Sequence, residues 1–200
     1  PLTSVSNVNW GIIQAAVNGA SWIIRSPSWA FDPNMVSEEY SPPTDPFWND
    51  EMQVLTSIRE AGLKSAVFPR ARLGTSVQKY WQNIVPTFDW WQKWFERFEK
   101  FTIYHADLAA ISESGMLIIG GEEFWPAITG QGFTNTGNSI SAKIPETNWE
   151  TLISLIRKHY SGAVYLAIPY SGLDSQIPNW VSLIDGIYLQ VNNEVIDTNK

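Results

Sequence analysis

LISLIRKHYSGAVYLAIPY, residues 152–170, holds two periodicities in one short stretch. Leu152, Ile153, Leu155 and Ile156 recur at helical spacing, Gly162 breaks the pattern, and Val164 to Ile168 is a nearly continuous apolar run. This reads as a helix, a closing glycine and a strand covered on both faces. The same order recurs in IIQAAVNGASWIIRSP (12–27), VLTSIREAGLKSAVFPR (54–70), LAAISESGMLIIGGE (108–122) and WVSLIDGIYLQV (180–191). Strands are therefore expected at 21–26, 64–69, 116–121, 163–168 and 186–191, with Gly19, Gly62, Gly115, Gly162 and Gly186 at left-handed helix ends. Repeated alternation of helix and strand predicts a parallel α/β sheet.

Two hundred residues form one domain, 1–200, large enough to bury a core without staples. Hydrophobic residues at 44% and charged residues at 16% exclude a disordered chain, and no apolar run reaches the roughly 20 residues of a membrane span. A formal charge of −7 is the wrong field for a phosphate backbone, so nucleic acid is not an expected partner. The absence of cysteine removes disulfides, thiolate metal sites and cysteine nucleophiles together. Eleven tryptophans suit either a large core or a ligand with flat apolar faces, such as a sugar. The chain opens at Pro1 with no initiator Met or signal-type segment, and reads as a piece of something longer.

Helix starts are expected at Asn9, at Asp45 with Pro46, and at Asp89 with Gln92 as a capping box. The third helix carries Trp91, Trp94, Phe95, Phe98, Phe101, His105 and Leu108 as one apolar stripe. Links from helix to strand are short, whereas those from strand to helix, 27–45, 70–88 and 122–147, are long and aromatic. All three leave the carboxyl ends of parallel strands, where α/β proteins place their sites.

At that end stands MLIIGGEE, residues 116–123: an apolar strand, two glycines and paired acids. Glu122 is placed at the mouth of the sheet, where partial desolvation favours the protonated form that a general acid uses; the alternative is a solvated loop carboxylate or cap. His105 and His159 fall on separate helices with no second His at ligand spacing, so no metal is expected. No P-loop, GxSxG elbow or dinucleotide fingerprint is present, and no cofactor is expected. An open α/β sheet with a small cofactor at its switch point loses ground for the same reason.

The Gly-Gly-Glu turn, together with AVFPRARL (66–73) and WWQKWFERFEKFTIYHADLAAISESG (90–115), resembles the (β/α)₈ glycosidases related to glycoside hydrolase family 113. The resemblance runs from SNVNWGIIQAAVNGASWIIRSPSWAF (6–31) to DGIYLQV (185–191). It implies a partial TIM barrel of five β/α repeats, similar to barrel strands two to six, with Glu122 as the acid/base at the end of strand four. It also implies a nucleophile on strand seven, which has no counterpart here. The second carboxylate then lies in remaining barrel segments of a longer parent chain, or is supplied by Asp174 or Glu194.

Around Glu122 the resemblance and the strand ends together place Ser28 and Trp29, Arg70 and Arg72, Glu123, Trp125, Tyr170 and Gln190 on the rim of a carbohydrate site. Arg70 holds a sugar group through its fork of donors or pairs with a neighbouring acid. Trp29 and Trp125 stack on a pyranose or pack in the core. The implied activity is hydrolysis of β-linked poly- or oligosaccharide, outside the cell or at its surface. A non-catalytic carbohydrate-binding scaffold is the alternative.

Overall fold

The computed structural model describes residues 2–31, 47–84, 87–130, 144–172 and 177–191. In chain order the elements are α1 (Leu2–Val17), β1 (Trp22–Arg25), β2 (Ser28–Ala30), α2 (Trp48–Glu60), β3 (Lys64–Val67), β4 (Arg70–Arg72) and α3 (Val77–Gln82). They continue with α4 (Phe88–Ile111), β5 (Met116–Gly120), α5 (Trp125–Thr129), α6 (Glu146–His159), β6 (Ala163–Pro169) and β7 (Gly186–Gln190). All five expected strands form, and they pair parallel in the order β1-β3-β5-β6-β7. The architecture is a partial (β/α)₈ barrel, a curled parallel half of one. The long links are not plain loops: β2 and β4 pair as a second, two-stranded parallel sheet, α3 follows β4 in the same link, and α5 lies in the link after β5.

Side chains alternate between the two faces of the sheet, as period-two geometry requires. Val67, Leu117, Ile119, Val164, Leu166 and Ile168 point outward into the layer of helices. Ala66, Phe68, Ile118 and Ala167 form a smaller inner cluster, flanked by Met116, Tyr165 and Tyr188. The aromatic stripe of α4 packs on the outer face, where Trp94 stacks on Phe98 at 5.3 Å and Phe98 meets Phe124 edge-on at 4.8 Å. Trp29, Trp81, Trp91, Trp94, Trp125, Trp149 and Trp180 are all buried. Most of the tryptophan excess is therefore core.

Only Gly19 and Gly62 of the five helix-end glycines take positive φ. After α4 the left-handed residue is Glu113, and Gly115 is needed for room instead, because a Cβ there would lie 2.9 Å from the Trp22 ring. Helix starts also differ from expectation. Because α1 begins at Leu2, Asn9 lies inside it, while Asp45 and Pro46 lie outside the described residues. Thr87 caps α4: its extended backbone lets Oγ1 accept the Trp90 N–H at 3.2 Å, leaving Asp89 in the first turn beside the helix dipole.

Two ion pairs fix the sheet to its helices. Arg25 at the end of β1 donates Nε and Nη2 to the buried Glu51 of α2, both at 2.6 Å, and that bonding raises the Arg25 pKa. Asp185 accepts the Val164 N–H and Arg157 Nη2, each at 2.7 Å, which lowers its pKa and sets the entry into β7. Among the described residues β1 and β7 each have one strand neighbour. Apolar side chains stand open at both ends of the curl, Trp22 and Ile24 on β1 and Ile187 and Leu189 on β7.

Candidate active site

The acidic turn is built by two glycines in sequence. Gly120 (φ +85) and Gly121 (φ +102) swing the chain off β5, with the Gly121 N–H donating to Ala167 O at 3.0 Å. A Cβ on Gly120 would lie 2.7 Å from Leu166 Cδ1 and 3.2 Å from Ala167 O. Gly120→Ala is accordingly expected to lower stability by about 1–3 kcal/mol, read as a fall in the urea midpoint with the denaturant slope unchanged.

Past the glycines the two acids part. Glu122 keeps 37% of its side-chain surface exposed, whereas Glu123 keeps 10%. The desolvated member of the pair is Glu123. Arg70, the first residue of β4, donates Nε to both Glu123 oxygens (2.8 and 3.0 Å) and Nη2 to Oε1 (2.5 Å). The same Nη2 lies 3.6 Å from Glu122 Oε1, and the guanidinium sits over the Phe68 ring at 5.0 Å. From the far side, Gln190 Oε1 accepts the Glu122 backbone N–H at 3.1 Å. Trp81 Nε1 donates to Glu123 O at 2.9 Å, so α3 also holds the turn.

The expected rim residues divide into three groups. Arg70, Glu123 and Gln190 converge on Glu122. Tyr170, directly after β6, is 64% exposed, and Arg72, on the same face of β4 as Arg70, is exposed as well. Trp29 and Trp125 are buried. Trp29 packs against Phe101, Tyr104 and His105, with the Arg97 guanidinium at 5.2 Å, and so takes the core reading rather than a sugar-facing one. Asp174 and Glu194 lie outside the described residues.

Other features fall away from this turn. A cavity of about 560 Å³ between α4 and α6, lined by Trp91, Phe95, Glu96 and Asn148 among others, lies in the outer layer. His159 pairs with Asp107 on the surface, and His105 is buried in α4. Among the described residues no group of three or more potential metal-ligating His, Cys, Asp or Glu side chains forms, and no helix is long and apolar enough to cross a membrane.

The sequence profile of Glycoside Hydrolase Family 113 matches residues 49–188, a span that holds all but the first residue of α2, the acidic turn and most of β7. The chain belongs to glycoside hydrolase family 113. Solved structures of the family share its fold. A GH113 beta-1,4-mannanase in complex superposes with TM-score 0.66 at 18% identity, covering 91% of this chain and 55% of that one. The GH113 beta-mannanase from Alicyclobacillus acidocaldarius, in complex with ManMIm, gives TM-score 0.66 at 16% identity, with 91% and 54% covered. A beta-glucosidase gives TM-score 0.54 at 16% identity, covering 94% of this chain and 55% of that one. This chain thus spans about half the length of its family 113 neighbours. No protein of curated function matches it in sequence.

Two contacts at this turn carry no sequence signal strong enough to assign them. Trp81 reads as one more loop aromatic, and nothing local tells that its indole N–H reaches Glu123 O. Strand position alone points to Gln190, and its bond to a backbone two strands away depends on the curl of the sheet.

Proposed function

We propose that this family 113 chain is a glycosidase that cuts β-linked, mannan-type polysaccharide, with Glu122 protonating the leaving glycosidic oxygen. The observation that carries the reading is the Gly120-Gly121 turn, which sets an open carboxylate at the carboxyl end of a parallel strand, 3.6 Å from a fixed guanidinium. In retention a second carboxylate about 5–5.5 Å away displaces the leaving group to form a glycosyl intermediate, and Glu122 then takes a proton from the water that hydrolyses it. In inversion a second carboxylate about 6.5–9.5 Å away takes the proton of a water that displaces the leaving group directly. Tyr170 and Arg72 are the side chains assigned to the sugar, the first by stacking and the second by hydrogen bonding.

The test is incubation with β-1,4-linked manno-oligosaccharides, following product length by chromatography and binding by calorimetry. Shortened products are the expected result. Binding with no product favours the second reading, a non-catalytic carbohydrate-binding scaffold, which the engagement of both acids of the turn by Arg70 supports. A polymer too large to enter a cell also argues for an extracellular or cell-surface site of action. Fractionation of the producing culture tests that placement.

A further inference from the structure

We propose that Glu123 is a positioning residue for Glu122, acting through Arg70, and that Gln190 fixes the same turn from the opposite side. The proposal rests on Glu122 being the proton donor. Glu123 offers both carboxylate oxygens to Arg70, and its own backbone carbonyl is pinned by Trp81 Nε1. With the Phe68 ring under it and Glu123 holding two of its nitrogens, the guanidinium has one orientation available. In that orientation Nη2 also pairs with Glu122 Oε1 at 3.6 Å, a longer contact than its 2.5 Å one with Glu123, so Glu123 sets how closely the cation approaches Glu122. A guanidinium released from Glu123 would shorten its pair with Glu122 and hold that carboxylate more firmly in its ionised form, which cannot give up a proton.

Gln190 supplies the other fixed point. Its side chain is buried at the end of β7, and its Oε1 holds the Glu122 N–H at 3.1 Å. A Cβ on Gly121 would meet Gln190 Oε1 at 3.2 Å, Glu123 Oε2 at 3.3 Å and Phe68 Cζ at 3.3 Å, so residue 121 must be small for these groups to converge. Strands β4, β5 and β7 therefore meet at one turn, and the height and direction of the Glu122 carboxylate follow from that meeting.

The experiment measures hydrolysis of a manno-oligosaccharide by the full chain and by its E123Q, R70K and E123Q/R70K variants. In parallel, the Arg70 Nε–Hε and Glu122 amide NMR signals are followed without substrate. E123Q is expected to lower kcat about ten- to a hundredfold with KM within about threefold, as a small misplacement of a reacting group does. R70K keeps the charge, loses the fork, and should cost a similar factor. The double variant should fall little below either single one, because the two side chains act as a unit. The Arg70 and Glu122 signals should both move in E123Q.

A rise in KM at constant kcat would make Glu123 a substrate contact and overturn the proposal, as would unchanged kinetics. If the unaltered chain cleaves nothing, the proton-donor reading fails on its own. The positioning geometry is then judged by NMR: movement of both signals in E123Q supports it, and fixed signals refute it. Should E123Q not fold, E123D gives the same readings with the carboxylate drawn back from Arg70, and R70K gives the kinetics and the Glu122 amide signal.

Discussion

Glu122→Gln is expected to lower kcat on a manno-oligosaccharide by about 10²–10⁴-fold while leaving affinity within about a factor of two. The amide has nearly the shape of the carboxyl, and the Glu122 N–H bond to Gln190 belongs to the backbone, so the turn survives the change. What disappears is a proton that can be donated. The loss should shrink on an aryl glycoside, whose leaving group departs without help, and persist on a sugar leaving group, which needs protonation. That contrast separates lost acid catalysis from lost structure, since a distorted site would slow both substrates alike. Equal loss on both substrates counts against the role of Glu122, and full activity in E122Q alongside a dead E123Q would move the acid one residue along.

Much of the fold was legible because its signals are local. The run from Val164 to Ile168 and its four counterparts are apolar on both faces, and a strand with helices outside and a barrel lumen inside needs that composition. Helix ends were harder to read. Thr87 and Asp89 are both good capping residues, and what favours Thr87 is the path by which the chain enters α4, with Thr87 extended and its hydroxyl on the Trp90 N–H. Gly115 looked like a helix terminator but is explained by the Trp22 ring, a contact contributed from almost a hundred residues away.

The site was legible in position and less so in roles. Two glycines followed by two acids at a strand end mark the turn, yet only three-dimensional pairing shows that Glu123 is buried against Arg70 while Glu122 pairs with it at longer range and stays more exposed. Of Arg70's two sequence readings, the ion pair is the one formed, and its main partner is the second acid of the pair. Trp29 shows the converse error of position. It follows a strand at the correct end, but β2 turns it down onto α4, where Phe101, Tyr104 and His105 receive it. Aromatic residues near a site report burial as readily as recognition, and no local pattern separates the two.

His105 carries the largest expected effect of pH on stability. It is fully buried in α4 against Trp29, Phe101 and Tyr104, and burial lowers its pKa from 6.5 to about 4 despite the hydrogen bond to Phe101 O. Because Nδ1 lies 2.7 Å from that carbonyl it carries the proton, and Nε2 has no hydrogen-bond partner among the described residues. A second proton on Nε2 would put an unpaired charge inside an aromatic cluster. The unfolded chain binds that proton near pH 6.5, and the folded chain resists until about pH 4. Stability is therefore whole above pH 6.5, declines as pH falls through the interval, and levels off below pH 4, with a total loss of about 3 kcal/mol. His105→Leu, similar in volume and unable to titrate, removes this component. Urea midpoints of the two proteins at several pH values should diverge at neutrality and in acid by different amounts, the difference shrinking in favour of the variant as pH drops from 6.5 to 4. Parallel curves would show that the imidazole takes up its proton without cost, and that the cluster around Trp29 admits water.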